Sequence, residues 1–166
     1  RPANTFGMTF TSPGPTSNLL YVGDGFIGSN NALSTLTIKF PNTQQPGLFG
    51  ADVFGTSGSD VLDARDVTVT ATSNLGAVAT LTRNKYNRFA GFFATAPGEF
   101  IAQVTVSHTV TAAPYLFNTL DNAYLGLPGY VFSPEIVVSP AGTGTLSCTI
   151  VAAGSMSVCT AEPATG

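Results

Sequence analysis

The sequence predicts an all-β domain of the two-sheet β-sandwich class, jelly-roll or immunoglobulin-like, with about ten short strands. Three observations carry this expectation. Period-two alternation of apolar and polar residues recurs along the chain, and helical spacing never persists beyond two turns. Eighteen Gly and eleven Pro interrupt it at short intervals. Between them lie mostly Val, Thr, Phe and Ile, whose branched or flat side chains suit a pleated, half-buried surface.

In chain order, the first element is Thr5-Phe6-Gly7-Met8-Thr9-Phe10-Thr11, in which Phe6, Met8 and Phe10 share one face. Ser12-Pro13-Gly14-Pro15 ends it, because proline cannot donate to a ladder and stiffens the chain into a hinge. Residues 1–14 therefore read as a strand with a Pro-Gly hinge, and 15–166 as one sandwich domain. Ordering an isolated strand costs more than its three apolar side chains return, so it is stable only when fully paired, within its own domain or in a neighbour.

Residues 19–22 and 48–54 are short strand candidates. Residues 35–40 alternate Leu36, Ile38 and Phe40 with Thr35, Thr37 and Lys39. Residues 67–72 alternate Val67, Val69 and Ala71 with three threonines, and 77–83 and 88–94 follow as further candidates. The longest pattern is 100–110: Phe100, Ala102, Val104, Val106, His108 and Val110 on one face, Ile101, Gln103, Thr105, Ser107 and Thr109 on the other. Two stretches, 56–65 and 117–127, read as a loop or a short helix each. Strand candidates at 130–132, 135–139, 145–152 and 156–160 complete the chain.

Cys148 and Cys159 flank the last turn. If they face each other, the hairpin centres between Ala153 and Gly154, and a loop over 152–155 avoids forcing alanine into a positive φ. An even pair in an exported chain favours a disulfide.

The totals bound the function. Only 9% of residues are charged, against about 25% in an average soluble protein, so the surface resists close packing against itself less than usual. The six Lys+Arg are scattered, giving no basic patch for nucleic acid, and no run of 18 apolar residues exists to insert into a membrane as a helix. The chain begins at Arg1, which reads as a processed terminus of an exported protein. No nucleophile-elbow, P-loop, zincin or dinucleotide motif occurs, and His108 has no nucleophile and carboxylate identified beside it, so no enzyme is expected. With no Trp and five Tyr, stacking platforms for sugars are scarce.

Asp60, Asp63 and Asp66, with Ser and Gly nearby, form a candidate oxygen-ligand set for calcium, although Arg65 lies among them and the spacing is not that of an EF-hand. No other cofactor is expected. The function expected is a structural, self-assembling subunit of an extracellular filament, pilus or surface layer. Its partners are copies of itself, joined by exchange of the strand carrying Phe6, Met8 and Phe10. The alternatives are a jelly-roll viral capsid or decoration protein and a monomeric adhesin or ligand-binding sandwich.

Overall fold

The computed structural model describes residues 9–11, 20–23, 26–29, 32, 34–40, 45–59, 61–126, 144–149 and 157–163; in 9–11, 20–23, 144–149 and 157–163 the description is of the backbone. The described residues form thirteen strands and no helix. They are β1 (Thr9–Thr11), β2 (Leu20–Gly23), β3 (Phe26–Ser29), β4 (Leu36–Lys39), β5 (Leu48–Thr56), β6 (Leu62–Asp63) and β7 (Val67–Ser73). β8 (Val78–Arg83), β9 (Phe89–Phe93), β10 (Ile101–Ser107), β11 (Phe117–Gly126), β12 (Gly144–Thr149) and β13 (Ser157–Pro163) follow.

All pairings are antiparallel, and the strands make two sheets packed face to face as a β-sandwich. The smaller runs β1-β4-β10-β7-β8; the larger runs β12-β13-β9-β5-β11-β3-β2, with β6 pairing the end of β5. One core lies between them. The smaller sheet gives it Leu36, Ile38, Val67, Val69, Ala71, Leu81, Val104 and Val106, and the larger gives it Phe49, Ala51, Val53, Ala90, Phe92 and Leu120. These are the apolar members of the alternating runs, since residues two apart on a strand face the same side.

Gly55 is fixed by packing: a Cβ there would lie 2.8 Å from Leu116 Cγ, and Leu116 is fully buried. Asn118 is also buried, donating from Nδ2 to Ser34 O at 2.8 Å. It ties β11 to the segment before β4.

The structure departs from the sequence reading in several places. Within 117–127, expected as a loop or short helix, Phe117–Gly126 form β11, which pairs with both β5 and β3. Residues 56–65, expected likewise, contain the end of β5, a turn and β6. β3 has no counterpart among the expected strands; Phe26-Ile27-Gly28-Ser29 is too short and too small at Gly28 for alternation to register.

The expected strand 100–110 is shorter, ending at Ser107, and its face assignment changes at the start. The register against β7 slips between Ile101 and Gln103, a β-bulge that turns Ile101 into the core and leaves Ala102 half-buried. One inserted residue reverses the side on which everything before it falls. The strand candidates 130–132 and 135–139, the hinge Pro13-Gly14-Pro15 and the loop 152–155 lie outside the described residues.

Candidate functional site

Ala51 and Val53 point into the core, so Asp52 between them points out from the larger sheet. Directly opposite it on β11 is Asp121, and on its other side, on β9, is Phe89. Two carboxylates facing each other across adjacent strands repel, costing roughly 0.2–1 kcal/mol.

The ladder breaks immediately after Asp121: Asn122 and Ala123 bulge before pairing resumes at Tyr124 opposite Gly50. Asn122 has φ of 49°, a left-handed conformation that asparagine tolerates better than most residues. Its side chain is held in place. Asn122 Nδ2 donates to Asp52 Oδ2 at 3.0 Å, and its backbone N donates to Asp121 Oδ1 at 2.6 Å. Bulges and strained residues concentrate where a fold must aim a side chain rather than continue a ladder.

Around this trio the outer face is aromatic. The Phe89 ring lies across the open backbones of Gly50 and Gly91, which its contacts there require to lack side chains. Phe54 meets Phe26 edge-on at 6.4 Å between ring centroids, and the Arg88 guanidinium sits 5.7 Å from the Phe54 ring. Tyr124, 62% exposed, stands at the edge. Two carboxylates, one oriented amide and an exposed phenol can accept from and donate to hydroxyl or amine groups. They hold no nucleophile–base pair. Among the described residues no group of three or more His, Cys, Asp or Glu is placed to hold a metal ion.

The residues expected from sequence lie elsewhere. Asp63 is engaged by Arg65: Nε donates to Oδ1 at 2.9 Å, Nη2 to Oδ2 at 2.8 Å, and the Arg65 backbone N to Oδ1 at 2.8 Å. Arg65 also donates to the carbonyls of Pro114 and Tyr115, at 2.5 Å and 3.3 Å, pinning β6 to the loop before β11. Asp66 accepts from Asn84 Nδ2 at 2.8 Å. Asp60 lies outside the described residues. A calcium ion at Asp63 would have to displace a guanidinium from both carboxylate oxygens.

The Arg65 hydrogen bonds hold the Asp63 carboxyl at about 2, below its ordinary 3.8. Because the folded value is depressed, the pair stabilises the fold fully above pH ~4 and loses this contribution as pH falls through about 2. The pair is partly exposed and screened, so its worth is below about 1 kcal/mol. In Arg65→Ala the Asp63 midpoint, read by carboxyl NMR titration, is expected to return towards 3.8; a midpoint unmoved near 2 would show that another group holds it.

Of the strand-exchange residues, Phe6 and Met8 lie outside the described residues, and Phe10 sits in β1 opposite Ile38 of β4. Cys148 on β12 stands directly opposite Cys159 on β13, and Cys159 in turn faces Gly91 of β9. His108 follows the end of β10, half-buried, with Nδ1 accepting from Val110 N at 3.1 Å. It lies just beyond a strand of the smaller sheet, whereas the Asp52–Asp121–Asn122 trio sits on the outer face of the larger one.

Nothing in the sequence singles out Asp52, Asp121 or Asn122. The available signal was Asp121-Asn122 inside an otherwise strand-like run, the residue pair that best tolerates a bulge. Comparison of the chain with protein-family profiles, curated proteins and solved structures finds no match.

Proposed function

We propose that the chain is a structural subunit of an extracellular filament, pilus or surface layer, joined to copies of itself by exchange of its N-terminal strand. The supporting observation is the position of β1. Among the described residues it pairs on one side only, with β4, at the outer edge of the smaller sheet, in the register Thr9 to Lys39, Phe10 to Ile38 and Thr11 to Thr37. A strand held by one neighbour can leave it and adopt the same register on the β4 of another copy. The hydrogen bonds and burial are then conserved, and only the connection through residues 12–19 changes path. Such an exchange is close to neutral in contacts, so local concentration and the stiffness of Ser12-Pro13-Gly14-Pro15 set its direction.

The outer face of the smaller sheet supports the same reading. Val104, Val106, Val69, Ala71 and Leu81 point inward, leaving Thr37, Thr105, Thr70 and Thr80 outward and opposite one another across four strands. Flanking rungs add Gln103, Thr72, Ser107, Thr68 and Thr82. This face is neutral apart from Lys39, and its threonines carry methyl and hydroxyl groups that pack against a like surface without burying charge.

Negative-stain microscopy of the isolated protein is expected to reveal uniform fibres. Phe6→Asp combined with Phe10→Asp is expected to abolish them and leave folded particles by circular dichroism. Closed shells would favour the jelly-roll capsid alternative, and fibres unaffected by the double substitution would overturn strand exchange.

One observation favours a second reading, a ligand-binding or adhesive sandwich: the larger sheet's outer face carries the Asp52–Asp121 pair beside a bulged Asn122, although a like-charge pair and a left-handed residue each cost stability. Under that reading Asp52→Asn with Asp121→Asn removes adhesion while leaving the fold intact or slightly stabilised.

A further inference from the structure

The smaller sheet has a second edge, opposite β1. It is β8, which pairs with β7 along Val67–Arg83 to Thr72–Val78 and with no other strand among the described residues. Natural sheets blunt such edges with charged side chains, proline or bulges, because a row of free N–H and C=O groups accepts any extended strand. β8 carries none of these at its outward positions, Val78, Thr80 and Thr82. Its one charged residue, Arg83, is buried at the far end, where Nη1 donates to Thr82 O at 2.6 Å and Nε to Phe89 O. At the near end Val78 is 63% exposed and Leu75, in the turn before it, is 57% exposed. The free edge is therefore uncharged and partly apolar over its first half.

We propose that β8 pairs antiparallel with β8 of a second copy of this chain, about a twofold axis at Thr80. The occupant is specified by the edge's own pattern. A twofold axis perpendicular to the sheet keeps outward residues opposite outward residues, so the paired positions must sum to an even number. Centring on Thr80 sets Thr80 against Thr80 of the second copy, Val78 against Thr82, and Ala79 against Leu81. Exposed Val78 is covered, the inward pair continues the core, and no two like charges meet; Arg83 faces Ala77.

The threonine rung from Thr37 through Thr105, Thr70 and Thr80 then runs unbroken into the second copy, making one ten-stranded sheet. Centring on Leu81 instead sets Val78 against Asn84 and draws the pairing towards the Arg83 end of β8, which is tied to β9 by the hydrogen bond from Arg83 Nε to Phe89 O. The contact joins copies at the edge opposite β1, so it stands on its own observation and holds whether or not β1 is exchanged.

The test is sedimentation equilibrium of the full chain at about 100 µM, with variants at three exposed positions of β8 and a control at Thr68 of β7, each checked for folding by circular dichroism. Thr80→Lys, which meets its own charge across the axis, is expected to weaken self-association at least about tenfold. Val78→Lys and Thr82→Glu are each expected to weaken it, and the two together to restore it, because this register sets 78 against 82. Thr80→Cys is expected to give a reductant-sensitive covalent dimer, and Thr68→Cys, on the same face of β7, is not.

Wild type that stays monomeric with no Thr80→Cys dimer overturns the proposal. So does a Val78→Lys/Thr82→Glu double variant no better than the singles. Running both cysteine variants in the Phe6→Asp/Phe10→Asp chain separates the two contacts: loss of fibres with a retained Thr80→Cys dimer supports both, and loss of fibres with no such dimer overturns β8 alone.

Discussion

Phe49→Ala is expected to lower the free energy of unfolding by about 3–5 kcal/mol, measured by urea denaturation. Phe49 is fully buried on β5, the central strand of the larger sheet, which pairs with β6, β9 and β11. Its ring lies 6.1 Å from that of Phe40, which follows β4 of the other sheet, so it bridges the two layers of the sandwich. Truncation removes both the transfer of the ring from water and the contacts of a cavity that strands on both sides cannot collapse to fill. A domain is ordinarily stable by about 5–15 kcal/mol, so the loss is a large part of the total. A change below about 1 kcal/mol would mean that the site repacks and that Phe49 is not a bridge between layers.

Reduction of a Cys148–Cys159 disulfide is expected to cost about 3 kcal/mol. The register places the two residues directly opposite on β12 and β13. Opposed residues on antiparallel strands have Cα atoms about 4.5–5.5 Å apart, within the range a disulfide spans. The bond would close a short loop in the unfolded chain and remove conformations that folding otherwise has to give up. It would also hold β12 to β13, and β13 is the strand that pairs with β9 and joins this hairpin to the rest of the sheet. Urea denaturation with and without reductant reads the effect, and Cys148→Ser/Cys159→Ser is expected to match the reduced protein. Two thiols alkylated in the unreduced, unfolded chain would show that no bond forms.

Much of the sandwich was legible because binary alternation is local chemistry. Val67, Val69 and Ala71, or Leu36 and Ile38, needed only their own neighbours to declare an inward face, and the structure buries all of them. The turn residues between these runs were equally explicit. The hairpin register at Cys148 and Cys159 followed from assuming that the two residues face each other, and the backbone pairing has them opposite.

What stayed hidden depended on partners. Ile101 read as an outward residue because alternation from Val104 counts back without a break, and only the slip against β7 turns it inward. Residues 117–127 lacked a clear pattern because β11 carries Asn118 inward, hydrogen-bonded to Ser34 O, and breaks at Asn122. A polar residue in a core position looks like a loop until its partner is known.

The sequence by itself determined the all-β class, most strand positions and the scarcity of charge. The tertiary structure decided which strands are edges, where registers slip, and that Asn122 and Asp52, 70 positions apart, share a hydrogen bond. The reason is physical: a strand's inward face follows from residues two apart, whereas its neighbours, its register and any site it shares with them follow from pairings that no local pattern encodes.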